Sequence, residues 1–326
     1  MLNLPNVKLR TFLGRLFISS VLIVVVVVMI GLRFTLHQSV AYDDDWLDSP
    51  LTRDIHFDDP DRLVSSRFPS PTDAQKQQPV MVLVHGFSAS TFEFDAFKKA
   101  MSEKAPSILY SSVIMGGHGR DYQAFKAASY SDWVAPIRDE VEKLTAMGYE
   151  RIILFGVSTG ATGLLHLILD DQLALGSIAH VLLMDAYVTP KDASLFFVPI
   201  IQYVVKNTRS GATRSIETRH WHVNRPTSAL VELLRLVKLV QRQLTNLSGY
   251  DGPPMTLFTA KHDPTADTRG SDLVFSNVEG ARVVRYDSDR HVIIESQAKL
   301  DWTDRDQGHF DAVLNHVLMT VVPPKK

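Results

Sequence analysis

The chain has 326 residues, 45% of them hydrophobic and 21% charged, with a formal net charge of −2. That length holds one large domain or two small ones, and the near-neutral balance gives no electrostatic reason for a nucleic-acid partner. Cysteine is absent, which excludes disulfides, thiolate metal sites and a cysteine nucleophile.

In chain order, residues 1–15 carry Lys8, Arg10 and Arg15 ahead of the uncharged run Leu16–Leu32. As a helix that run reaches about 26 Å, and Phe34 and Leu36 extend it toward a hydrocarbon core of ~30 Å if Arg33 snorkels to the interface. The expectation is a single-pass transmembrane signal-anchor at 16–36. Its basic residues stay in the cytoplasm, and everything that follows lies on the outer side of the cell membrane. The rival is a cleaved signal peptide, because small residues stand at 39–41 in "SVA". Residues 37–78, rich in Asp, Pro, Ser and Gln, show no sustained period and read as a spacer.

From Pro79 to the end short apolar runs alternate with amphipathic segments. Strands are expected at 80–84, 107–115, 151–155, 180–184, 255–260 and 282–286. Helices are expected at 91–104, at 131–148 with Ser131 as N-cap and Trp133, Ile137, Val141 and Leu144 on one face, and directly after residue 158. A last helix turns Phe310, Val313, Leu314, Val317 and Leu318 inward. Continuously apolar strands alternating with helices indicate a mostly parallel sheet covered on both faces. The stretch at about 187–250 breaks this rhythm with helical texture and no strand signal, as an inserted helical cap would.

"GVSTG", residues 156–160, joins a strand to a helix. A serine between two glycines at such a junction is a nucleophile elbow: the glycines permit close backbone approach, and the helix N-terminus favours developing negative charge. Ser158 is therefore the candidate nucleophile. An oxyanion hole needs two amides, expected from Thr159 and, after the first strand, from Phe87 in "HGF". In a Ser–acid–His chain order the base falls to His291 in "YDSDRHVII". His262, His309, His220 and His222 sit less suitably, and the His220/His222 pair lacks a third ligand for a metal. The acid is Asp263 in "AKHDPTAD", with Asp267 as close rival and Asp185, Asp287 and Asp289 behind it. His85 and His118 are read as structural. Phe196, Phe197 and Ile200 of "LFFVPII" are expected to line an apolar acyl pocket. Lys206, Arg209, Arg214, Arg219 and Arg225 scatter nearby and read as a solvated face; the alternative is a contact for anionic headgroups or an acidic leaving group.

"VLVHGFSAS", "GGHG" at 116–119, "SDWVAPIRDEVEKL", "GYERIILFGVSTGAT", "RPTSALVELLRLVKLV" and "YDSDRHVII" occur in an order that resembles the α/β-hydrolase superfamily. More narrowly the chain is similar to the bacterial carboxylesterase and monoacylglycerol-lipase group, also described as serine aminopeptidase-like. The resemblance spans most of 80–320. It implies an α/β-hydrolase domain at 79–326 with a cap insertion, Ser158, Asp263 and His291 as triad, and Phe87 and Thr159 as oxyanion donors. The pattern departs at Thr159, where relatives have an apolar residue, at Ala161, where many have glycine, and in the acid loop. The expected activity is hydrolysis of short-chain or monoacylglycerol-type esters without metal or organic cofactor. The alternatives are an amide or peptide hydrolase on the same triad and a degenerate, membrane-tethered binding module. Ser158 itself excludes the aspartate-elbow enzymes.

Overall fold

The computed structural model describes residues 53–209, 219–295 and 301–322, with scattered positions between 20 and 29 that are helical. Most of the expected span at 16–36 therefore lies outside the described residues. Among the described residues no helix is long and apolar enough to cross a membrane.

The strands that carry the fold are β1 (Val80–Val84), β2 (Leu109–Val113), β3 (Ile152–Val157), β4 (Ile178–Met184), β7 (Met255–Ala260) and β8 (Arg282–Tyr286). They form one sheet in the order β2-β1-β3-β4-β7-β8, with every neighbouring pair parallel. Parallel neighbours require crossovers, and the helices supply them. These are α1 (Asp95–Lys104), α2 (Tyr130–Ala146), α3 (Thr159–Leu169), α4 (Thr227–Thr245), α5 (Arg269–Asn277) and α6 (Asp304–Val321).

The continuous apolar runs follow from burial on both faces. Val80, Val82 and Val84 of β1 enter one core with residues of α2, α3 and α4, whereas Met81 and Leu83 enter the other with Phe97 of α1 and Phe310 of α6. Alternate residues of a strand point to opposite faces, so a strand covered on both sides has no polar positions to spare.

Several boundaries differ from expectation for local reasons. The segment 91–104 is divided, with a 3₁₀ turn at Thr91–Phe94 before α1. The N-cap of α2 is Ser129, not Ser131, because Ser129 and Asp132 close a reciprocal capping box. Between β4 and β7, where no strand was expected, Asn207–Arg209 (β5) pairs antiparallel with Asn224–Pro226 (β6). Short turns at Ala193–Phe197 and Val198–Ile201 precede this pair and α4 follows it.

The spacer expected at 37–78 is corrected in its described part. Val64 is fully buried in the main core, and its amide donates to Ser111 Oγ at 2.9 Å. Glu140 of α2, also buried, accepts from the Ser65 amide and hydroxyl and from Ser111 Oγ. Asp54 accepts the Thr91 amide at 2.6 Å. Aperiodic sequence here reflects a chain fastened by polar contacts over short turns, not one detached from the body.

Candidate active site

After β1 the chain crosses to β2 on one side and then to β3 on the other. The carboxyl ends of β1 and β3 thus flank the point where strand order reverses, the place where open parallel sheets leave a crevice. Val84 pairs with Gly156, so the loop after β1 and the turn after β3 lie side by side.

That turn holds Ser158 at φ 49°, ψ −119°, a left-handed conformation that costs a non-glycine residue about 1–3 kcal/mol. It persists because neighbours fix it. The Ser158 amide donates to the Met184 carbonyl at 2.8 Å, and its carbonyl accepts from Thr162 and Tyr187 amides. Both flanking glycines are sterically required. A Cβ on Gly160 would lie 2.4 Å from the carbonyl oxygens of Val84 and His85, and one on Gly156 would lie 2.7 Å from the Ala161 nitrogen.

Ser158 Oγ is 2.9 Å from His291 Nε2, and His291 Nδ1 is 2.7 Å from Asp263 Oδ2. The remaining Asp263 oxygen accepts the Thr265 and Ala266 amides at 2.6 and 2.9 Å, which orients the carboxylate. Burial alone would lower the His291 pKa, but the Asp263 hydrogen bond and charge, with Asp185 and Glu295, raise it above 6.5 overall. Asp267 takes no part: it pairs with Arg269 at 2.7 Å, away from the imidazole. Asp287 pairs with Arg305 and His262, and Asp289 is exposed at the site's edge.

Asp185 is the group whose place sequence reasoning left unspecified. It is buried at φ 44°, and burial first of all pushes its carboxyl up to about 6. One oxygen accepts the Ala260 amide at 2.8 Å; the other accepts the Tyr286 hydroxyl at 2.6 Å and the Val292 amide at 3.0 Å. Val292 adjoins His291 and has φ 60°, an unfavourable angle for a β-branched residue. Asp185 thus clamps β7, β8 and the strained histidine loop together. Ligand-type atoms of Asp185, Asp263 and His291 all lie within 4.8 Å of one another, but each carboxylate oxygen and ring nitrogen already has a protein partner. The signal for Asp185 was its position at a strand end opposite two others.

Phe87 and Thr159 both border the cavity beside Ser158, and neither amide has an acceptor among the described residues. The Phe87 ring is held by His118, Phe125 and Trp133, at centroid distances of 5.3 to 6.1 Å. His85 braces the loop, donating to the Gly86 carbonyl and accepting the Met115 amide; burial lowers its pKa to about 4, so it is neutral. His220 and His222 stack on different rings, Phe92 and Phe125.

The cavity measures about 790 Å³. Among the described residues its aliphatic lining from the segment after β4 is Leu195, Val198, Leu230 and Leu233, with the rings of Tyr187 and Trp221 beside them. Phe196, Phe197 and Ile200 do not line it. They are 44, 59 and 61% exposed, because the tight turns at 193–201 send Leu195 and Val198 inward and their neighbours out.

No protein-family model and no curated protein sequence matches this chain. Solved structures do match its fold. One of two metagenome-derived lipolytic enzymes superposes with a TM-score of 0.58 at 13% identity, over 75% of this chain and 94% of that one. A monoacylglycerol lipase from Paleococcus ferrophilus gives 0.58 at 15% identity, over 75% and 96%. A soluble variant of monoglyceride lipase from Saccharomyces cerevisiae, in complex with a substrate analogue, gives 0.59 at 12% identity, over 78% and 88%. The sheet order, the elbow and the helical insertion are those of the α/β-hydrolase fold.

Proposed function

We propose that this chain, an α/β-hydrolase by fold, is a serine hydrolase that cleaves carboxylic esters through an acyl-enzyme on Ser158. The observation that carries the reading is the hydrogen-bonded line from Ser158 Oγ through His291 to Asp263, opening at a strained elbow onto the cavity. His291 Nε2 takes the hydroxyl proton as Oγ attacks the ester carbonyl. Asp263 holds the Nδ1–H tautomer and stabilises the imidazolium that forms. The Phe87 and Thr159 amides bind the oxyanion, assisted by the N-terminus of α3. His291 returns the proton to the leaving alcohol. It then takes a proton from a water that attacks the acyl-enzyme carbonyl, and passes that proton to Ser158 Oγ as the carboxylic acid leaves and the free serine is restored.

The apolar wall of Leu195, Val198, Leu230 and Leu233 suits a short or medium acyl chain, and the likeness to two monoacylglycerol lipases supports lipid monoesters among the substrates. The apolar run at 16–32, behind Lys8, Arg10 and Arg15, supports attachment to the cell membrane with the hydrolase on the outer side. The test is hydrolysis of p-nitrophenyl butyrate by the purified chain. Ser158→Ala should lower kcat/KM by about 10⁴-fold or more, whereas undiminished hydrolysis by that variant would remove the serine from the mechanism.

A further inference from the structure

Among the described residues, two arginines line the cavity. Arg290 is neutralised by Asp301 and Asp306, at 3.0 and 3.2 Å. Arg225, on β6, has no carboxylate partner among the described residues. Its Nε donates to Ser88 Oγ at 3.1 Å, and its guanidinium lies 5.8 Å from the centroid of the Phe87 ring. The acids on the same lining are otherwise engaged or peripheral. Glu93 accepts the Gly86 amide at 2.6 Å, Asp192 caps the turn at Ala193–Phe197, Glu295 is buried with partners of its own, and Asp289 is exposed.

Burial pulls the Arg225 guanidinium below the ordinary arginine value. Among the described residues the neighbour that raises it is Tyr187, which also borders the cavity. A half-buried cation is partly stripped of water, and without a counter-charge that is unfavourable. Arg225 forms part of the cavity lining, together with Ser158 and His291. Ser88 and Phe87 belong to the loop after β1 whose Phe87 amide borders the cavity, so this charge shares one cavity with Ser158.

We infer that Arg225 is a specificity determinant that binds an oxyanion of the substrate, a carboxylate or a phosphate, so that the preferred esters are anionic. The inference rests on the ester-hydrolase reading above and narrows it. A guanidinium fork matches both groups with two parallel N–H donors, and an anionic substrate supplies the missing counter-charge when it displaces cavity water. The Leu195, Val198, Leu230 and Leu233 wall takes the apolar part of the same molecule.

The test compares three matched pairs of esters. The mono-p-nitrophenyl ester of adipic acid against p-nitrophenyl hexanoate puts the acid in the acyl part. 4-Butyryloxybenzoate against its methyl ester puts it in the alcohol part. 1-Butyrylglycerol 3-phosphate against 1-monobutyrin replaces carboxylate by phosphate. The readout is the ratio of kcat/KM values, anionic over neutral, in the wild type, Arg225→Met, Arg225→Gln and Arg225→Lys, each checked for folding by circular dichroism. A general loss of activity cancels in that ratio.

For at least one pair the ratio should fall by about tenfold or more in the Met and Gln variants, the size expected for a lost hydrogen bond to a charged group, with Lys keeping part of it. Which pair responds identifies the anion and its side of the ester bond. Ratios unmoved in all three pairs, with neutral esters still hydrolysed, would overturn the role of Arg225 and leave the esterase standing. No hydrolysis of any ester by the wild type would overturn both.

Discussion

His291 sets the expected pH dependence. Burial lowers its pKa, and the Asp263 hydrogen bond and charge more than reverse this, so the imidazole protonates above 6.5. A base must be neutral to accept the serine proton. The kcat/KM profile should therefore decline as pH falls through that raised value. In Asp263→Asn the leading support is gone, so the acid limb should move to lower pH and the rate should drop by about 10³- to 10⁴-fold; an unmoved limb would show that another group titrates. Asp185 acts differently. Asp185→Ala would leave the Ala260 and Val292 amides and the Tyr286 hydroxyl without their acceptor. Urea denaturation should show a loss of about 2–4 kcal/mol, with kcat falling more than KM rises. A stability equal to wild type would mean that the clamp is not needed. Ser158, Asp263 and His291 were legible because each lies just after a strand, in the chain order this fold uses for such a triad. Asp185 also follows a strand, and linear order cannot tell a carboxylate that faces an imidazole from one that holds its loop.

At the scale of elements, the elbow is a contact between the end of β1 and the start of α3. Gly160→Ala would drive a Cβ to 2.4 Å from two backbone carbonyl oxygens, with no flexible side chain to yield. It should cost about 1–3 kcal/mol in stability and most of the hydrolytic rate; a variant with wild-type Tm would contradict the packing described. The segment before β1 makes a second test. Val64→Ala should destabilise by about 1–3 kcal/mol, measured by chemical denaturation, whereas a detached spacer would tolerate the change. Strands and long helices were readable since burial on one or two faces stamps a period of 2 or 3.6, or a continuous apolar run, on the chain. The segment 53–78 and the β5–β6 pair were not, being short, polar and held by tertiary hydrogen bonds. The turns at 193–201 are too brief for a period to reveal which apolar residues face the cavity, so the run "LFFVPII" does not show that Leu195 and Val198, rather than Phe196, Phe197 and Ile200, line it.

For the whole molecule, the parallel sheet brings residues 87, 158, 263 and 291 to one edge although they are spread over two thirds of the sequence, and the segment between β4 and β7 roofs them. The parallel α/β sheet was legible from strand–helix alternation, and the α/β-hydrolase fold from the resemblance; the basic residues near the cap hinted at an acidic leaving group, but that Arg225 is the one on the cavity without a carboxylate partner among the described residues is recognisable only once its surroundings are known. If the apolar run at 16–32 anchors the chain, the full-length protein should sediment with membranes and be released by detergent but not by high salt, while a chain beginning at residue 53 should remain in the supernatant. Release by salt alone would contradict the anchor. The central claim is that Ser158 is an activated nucleophile, and its most direct measurement is mass-spectrometric mapping of a fluorophosphonate adduct on the folded protein. One adduct per chain on Ser158, abolished in His291→Asn, is the result predicted; a folded protein that takes up no probe, or takes it up at another residue, would contradict it.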